Sequence, residues 1–298
     1  MEKNILHKNK KYLKSPMNYM GGKFRLLNQI LPLFPQDINN FIDLFAGGCN
    51  VSINISANNI YCNDNLFYII ELYEYFKDTA LTNILNEIET GIHKYQLSKT
   101  NEDGYKLLRT DYNTDKKPIL FFLLICHSFN HQIRYNNSHN FTTPFGKERS
   151  QYNSTIEHNL INFIERIKEA DFNFSKKDFR EFDLSFITSR DLVYCDPPYL
   201  ITTGSYNDGK RGFKGWGEEE ETDLLNLLDK IDDQGGRFAL SNVLHHKGKS
   251  NDILLNWVKD RNYFIHHLSM NYANSSYHVS NTGNRQSDEV LICNYNTK

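Results

Sequence analysis

Toward both ends of the chain, short apolar runs alternate with stretches of helical spacing. Phe24, Leu27, Ile30 and Leu31 predict a helix stopped by Pro32, and Phe41-Ile42 predicts a strand running through Asp43-Leu44-Phe45-Ala46 into Gly47-Gly48. A second short strand is predicted over 59–63 and ends in Asp64. After residue 170 the alternation resumes at 171–174. Leu192-Val193-Tyr194-Cys195 then reads as a buried strand, stopped by Pro197-Pro198. Leu224, Leu225, Leu228 and Ile231 give a helix with an acidic start at Glu218–Glu221 and a stop at Gly235-Gly236. Strands are expected over 237–241 and 263–268, with a helix between them capped by Ser250. A closing antiparallel strand is expected over 289–293, after an exposed polar loop over 271–288.

Between about 66 and 170 the pattern changes. Residues 66–76, 81–92 and 118–129 all have helical spacing, joined by polar connections, so the βα alternation is lost. The chain therefore divides into a discontinuous α/β domain, 15–66 with 170–298, and an inserted, mainly helical subdomain over 67–169. Residues 1–14, with Lys3, Lys8, Lys10, Lys11 and Lys14, read as a solvated basic tail.

Composition narrows the class. A chain of 298 residues with 39% hydrophobic content buries a sizeable core, and no apolar run reaches the length of a membrane span. The five cysteines are scattered without Cys-x-x-Cys spacing, as expected of reduced, buried thiols in a cytoplasmic protein with no metal site. A net charge of -2 neither requires nor excludes a nucleic-acid partner.

Candidate chemistry centres on Asp196-Pro197-Pro198-Tyr199. The two prolines forbid further ladder pairing and leave the Asp196 and Pro197 carbonyls as acceptors at the mouth of the sheet, while Tyr199 offers a ring to a planar base. A proline-stopped strand with an acidic turn is the plain alternative. Tyr19-Met20-Gly21-Gly22-Lys23 is either a small-anion loop beside a cation or an ordinary helix start. The Gly47-Gly48 turn lets a ligand approach the backbone, and Asp64 stands where a ribose hydroxyl is received. The glycines do not follow the G-x-G-x-x-G pattern of nicotinamide enzymes. Within the insert, 127–138 runs into Phe141-Thr142-Thr143-Pro144-Phe145-Gly146. Its polar and aromatic residues suit either base readout or a surface hairpin. The glycine-rich aromatic loop over 204–217 has the composition of a lid.

Taken in order, these motifs resemble the Dam or D12-type family, the α class of DNA adenine-N6 methyltransferases, from Met17 to Tyr295. The resemblance implies a Rossmann-like methyltransferase fold with a seven-stranded mixed sheet, S-adenosylmethionine as cofactor and double-stranded DNA as substrate. It further implies that Asp196, Pro197, Pro198 and Tyr199 are catalytic. Tyr19, Gly21, Lys23, Asp43, Phe45, Gly47, Gly48, Asp64, Asp178, Phe179 and Asp196 would meet the cofactor. Ser128, Asn130, Arg134, Asn136, Pro144 and Gly146 would contact DNA. A bacterial or phage-encoded enzyme, with a cognate restriction endonuclease as a candidate partner, is the corresponding setting. The same fold acting on RNA adenine or a protein amide, or an idle DNA-binding relative, are the alternatives. Leu44 and Cys49 depart from the family pattern, which commonly has proline and glycine there.

Overall fold

Strand β4 (Leu192–Cys195) is buried along its whole length, as a strand covered on both faces must be. It lies at the centre of a sheet of order β3-β2-β1-β4-β5-β8-β7 in a computed structural model that describes residues 12–202, 215–269 and 287–297. The lysines up to Lys11, the predicted lid over 204–214 and the predicted loop over 271–286 lie outside the described residues. The other strands are β1 (Asn40–Asp43), β2 (Asn59–Asn63), β3 (Asp171–Ser175), β5 (Arg237–His246), β6 (Lys249–Ser250), β7 (Phe264–His267) and β8 (Ser287–Cys293). Strands β1 to β5 pair in parallel, whereas β8 runs antiparallel to both β5 and β7. The expected seven strands thus form one continuous path, with two-residue β6 as an additional hairpin partner of β5.

Side chains alternate across the sheet, so each strand feeds two cores. Phe41, Leu192 and Tyr194 face a layer that continues into the insert. Ile42, Val193 and Cys195 face the layer closed by α7 (Glu218–Asp233) and α8 (Asp252–Arg261). Register fixes the geometry of the site. Asp43 lies opposite Cys62 on one side and Tyr194 on the other, so β1, β2 and β4 end together at one edge. The chain departs from β1 toward β2 and returns at β4 on the other flank. That reversal opens a crevice at the carboxyl ends of the strands.

The insert begins with α2 (Phe67–Asp78) and continues through α3 (Leu81–Lys94), α4 (Glu102–Asp115) and α5 (Pro118–His127) to α6 (Ser154–Glu169). Helix α5 is nearly all apolar and buried on every side, with α2, α3 and α4 packed around it. Helices α2 and α6 also pack on β3, so the apolar core is continuous from insert to sheet. Neither α4 nor α6 was evident as a separate spacing. Both carry a narrow apolar stripe on a polar sequence and are started by the side chains of Asn101 and Asn153.

Three local expectations are corrected. The first helix is mostly 3-10, over Lys23–Leu26 and Leu31–Leu33 around a single α-turn, α1 (Leu27–Ile30), and Pro32 sits inside its last turn. Strand β5 runs on to His246 because β8 pairs with it up to Ser287, across a register irregularity between Val243 and His245. Ser250 belongs to β6, and Asn251 caps α8 by accepting a hydrogen bond from the Leu254 N–H. The basic tail is anchored at its end, where Leu13 exchanges two backbone hydrogen bonds with the Asn54 side chain.

Candidate active site

Asp196, the acid that follows β4, is held by Lys23 and Tyr199, two donors that it shares with Glu289 of β8. The Lys23 ammonium, only 5% exposed, lies 2.8 Å from Asp196 Oδ1 and 3.6 Å from Glu289 Oε1. It also donates to the Gly21 carbonyl at 2.8 Å. The Tyr199 hydroxyl lies 3.0 Å from Asp196 Oδ1 and 3.2 Å from Glu289 Oε1, and the ammonium stands 5.1 Å from the Tyr199 ring centre. One oxygen of each carboxylate is therefore shared between an ammonium and a phenol. Burial raises the Glu289 carboxyl above its usual range, and the neighbouring Lys23 charge opposes that rise.

Across the crevice, the turn after β1 is built on two acids. Asp43 is buried; one of its oxygens accepts from the Ser52 hydroxyl, and Oδ1 has no hydrogen-bond partner. Burial lifts its carboxyl to about 7. The Ser52 hydrogen bond opposes that rise, and the charges of Asp196 and Asp64 add to it. Asp64 accepts the Gly47 N–H at 2.8 Å and the Leu66 N–H at 2.8 Å, so both its oxygens tie the turn to the end of β2. Burial also raises Asp64. Gly47 has φ +45°, and a Cβ there would stand 2.8 Å from the Tyr19 ring. A side chain at that position would collide with the Tyr19 ring as well as strain the turn.

The two departures in this turn have structural correlates. The Leu44 N–H donates to the Tyr194 carbonyl at 3.0 Å, extending the β1–β4 ladder by a bond that proline cannot make. Cys49 adopts φ +55°, a conformation suited to the glycine it replaces.

A ring cluster closes the side of the crevice near β3. Phe45 lies 5.4 Å from Phe179 and 5.6 Å from Trp216, and the last two are 5.7 Å apart. Trp216 is fixed by donating to Glu221 at 2.8 Å. Asp178 is occupied differently: its carboxylate accepts from the Arg180 backbone at 3.0 Å and faces the Arg180 guanidinium at 3.4 Å.

The hairpin predicted in the insert is present, bridged at Ser128 with Phe145 and at Tyr135 with Phe141. It separates the six candidate DNA contacts into two groups. Asn130, Asn136 and Pro144 are exposed and Arg134 is half-buried. Ser128 is fully buried and donates to backbone carbonyls of its own turn, at Ile125 and Gln132. Gly146 is buried too, and a Cβ there would lie 2.4 Å from Ser150. These two build the hairpin and offer no side chain to a duplex. Asn130 and His131 have φ of +53° and +54°, a turn that leaves Phe129 39% exposed under the Arg149 guanidinium. The Asn18 amide donates to the Asn130 carbonyl at 3.2 Å and joins this turn to the loop carrying Lys23.

Sequence reasoning missed Glu289 and Trp216. The available signals were an acid opening an otherwise apolar strand and a tryptophan just before an acidic helix start. Among the described residues, no group of three or more His, Cys, Asp or Glu is arranged to hold a metal, and no helix is long and apolar enough to cross a membrane. All five cysteines are unpaired and buried.

A mixed sheet whose topological switch lies between an acid-built glycine turn and an Asp-Pro-Pro-Tyr strand end defines a Rossmann-like methyltransferase. The chain belongs to the D12 class N6 adenine-specific DNA methyltransferase family, whose sequence model matches residues 19–274. It is 50% identical over 289 residues to the type II methyltransferase M.FokI of Planomicrobium okeanokoites, and 48% identical over 289 residues to the modification methylase StsI of Streptococcus sanguinis. Each match covers 97% of this chain and 44% of the relative, so the chain spans less than half the length of these two proteins. A DNA adenine methylase of Haemophilus influenzae is 29% identical over 220 residues, 72% of this chain and 74% of that protein.

Proposed function

We propose that the chain transfers a methyl group from S-adenosylmethionine to N6 of an adenine flipped out of duplex DNA. The supporting observation is the position of Asp196, at the switch point, across from a buried Asp43 oxygen that lacks a hydrogen-bond partner. A buried acceptor without a donor fits an ammonium, and S-adenosylmethionine carries one on its methionine end. Lys23 and the Gly21 backbone would meet the carboxylate of that end. Tyr19, Gly47 and Gly48 would line the turn, and the lone pairs of Asp64 not used by the backbone would accept ribose hydroxyls. Phe45, Phe179 and Trp216 would hold the adenine ring of the cofactor, with Asp178 acting through Arg180 rather than on the ligand. When bound, the cofactor supplies a methyl group already activated by the positive charge of its sulfonium.

The task left to the protein is positional. The N6 lone pair of adenine is delocalised into the ring. An amino group donating to the Asp196 carboxylate and the Pro197 carbonyl is held with that lone pair turned toward the methyl, and the acid stabilises the positive charge developing on nitrogen. Taking the base out of the helix costs a few kcal/mol, on the order of the ~1–3 kcal/mol returned by stacking on an aromatic ring such as Tyr199. Asn130, Arg134, Asn136 and Pro144, on the segment between α2 and α6, would face the duplex. The names of two relatives, a type II methyltransferase and a modification methylase, support a restriction-modification setting for this reading, in which a cognate endonuclease would be the partner.

The test is tritiated-methyl transfer to duplex DNA, single-stranded RNA and protein in parallel. Incorporation is expected in DNA alone, recovered as N6-methyladenine, and Asp196→Ala is expected to lose transfer while still binding S-adenosylmethionine. Full activity of Asp196→Ala would overturn the reading.

A further inference from the structure

Glu289 has no part in the reaction as described, yet its Oε1 touches the same ammonium and the same phenol as Asp196 Oδ1. The Asp196 carboxylate has to accept the adenine amino group, and here its Oδ1 already takes both Lys23 and Tyr199. Two donors on one oxygen leave little room for a third there, and a carboxylate whose charge is neutralised by a buried ammonium is a weaker acceptor at its other oxygen too. A substrate amine meets the full charge of Asp196 only if these donors have somewhere else to go. The Glu289 oxygen, at 3.6 Å from the ammonium and 3.2 Å from the hydroxyl, is that place. Glu289 sits on β8, paired to Val243 of β5, and its carbonyl accepts the Leu268 N–H. The backbone on both sides thus fixes the position of the carboxylate, which is only 13% exposed.

We propose that Glu289 is a positioning residue that receives the Tyr199 hydroxyl and, together with the carboxylate of the bound cofactor, draws Lys23 off Asp196 when the target amine arrives, so that Asp196 is released for substrate while the buried ammonium keeps an acidic partner within the protein. This rests on the adenine-N6 reading for the identity of the amine. The exchange among the two carboxylates, Lys23 and Tyr199 does not. Lys23, Asp196, Tyr199 and, from β4, Tyr194 are the titratable groups that face Glu289, and its cross-strand neighbours contribute Val243 and backbone.

The experiment is a double-mutant cycle on Glu289→Gln and Tyr199→Phe, read in single-turnover methylation and in thermal unfolding. Glu289→Gln keeps the shape and one acceptor but loses the charge that draws Lys23 away. It is expected to slow the methylation step by about tenfold or more, with KM for DNA and cofactor within about threefold of wild type. In the Tyr199→Phe background the same change is expected to cost markedly less, because one of the two shared donors is already gone. Rates of Glu289→Gln within about twofold of wild type, or single effects that multiply in the double variant, would overturn the proposal. The unfolding cycle needs no turnover. Coupling between the two positions there, with a wild type that methylates no adenine, would keep the shared pair and discard the adenine reading. Additive shifts in the unfolding midpoint would overturn the shared pair itself.

Discussion

Asp43 makes the site sensitive to pH in two opposite ways. Its carboxyl is raised to about 7 in the folded protein, chiefly by burial, and Asp64 and Glu289 move in the same direction. A group raised above its unfolded value contributes stability at low pH and loses it as pH climbs through the folded value. The ligand-free protein should therefore lose stability between about pH 4 and 8. Asp43→Asn keeps an acceptor for Ser52 and should flatten that slope, stabilising by roughly 1 to 3 kcal/mol at pH 8 in chemical denaturation. Cofactor affinity should run the other way. An ammonium pairs with the charged acid, so binding by calorimetry should tighten as pH rises through 7 in the wild type and lose that dependence in Asp43→Asn.

At the scale of elements, the strand ends govern where the chemistry sits. The bond from Leu44 N–H to the Tyr194 carbonyl stitches β1 to β4 one step beyond the strands and holds Asp43 opposite Tyr194, two residues before Asp196. Leu44→Pro restores the residue common in the family but removes that donor. It should cost about 1 kcal/mol and lower the melting temperature by roughly 2 °C in a scanning measurement. The strands were largely legible because buried parallel strands write themselves as short apolar runs, as Leu192 to Cys195 do. Helices α4 and α6 were not, since their stripes of three or four apolar residues sit among charges, and their Asn caps also suit turns. At the candidate site, the motifs singled out Asp196, Lys23 and Tyr199, which the fold brings together. Glu289 was not singled out, because a closing antiparallel strand is legible but the pairing beside β5 that brings Glu289 to Lys23 is a long-range contact that no local spacing encodes. Ser128 and Gly146 differ from the other candidate DNA contacts in being buried within the hairpin, a difference that residue type alone does not reveal.

For the molecule as a whole, a net charge of -2 means that the proposed duplex substrate would be met by a local surface rather than by overall attraction. The hairpin is the surface proposed, with Asn130, Asn136 and Pro144 exposed around Arg134, and Asn18 linking its turn to the loop that carries Lys23. Arg134→Ala should weaken binding to the preferred site by about 1 to 3 kcal/mol and relax its sequence preference, with little change on unrelated duplex, in competition titrations at fixed salt.

The chain has only two tryptophans, and the fold keeps them apart in purpose. Trp216 stands in the ring cluster beside the glycine turn, whereas Trp257 is half-buried against Phe238 and Tyr263, its indole donating to Asp229 at 2.8 Å. If the crevice takes the proposed cofactor, one indole would respond to it and the other to the packing of α8. The intrinsic fluorescence of the unmodified protein would then carry a reporter of ligand entry and an internal standard for folding, and replacing Trp257 with phenylalanine would isolate the first from the second.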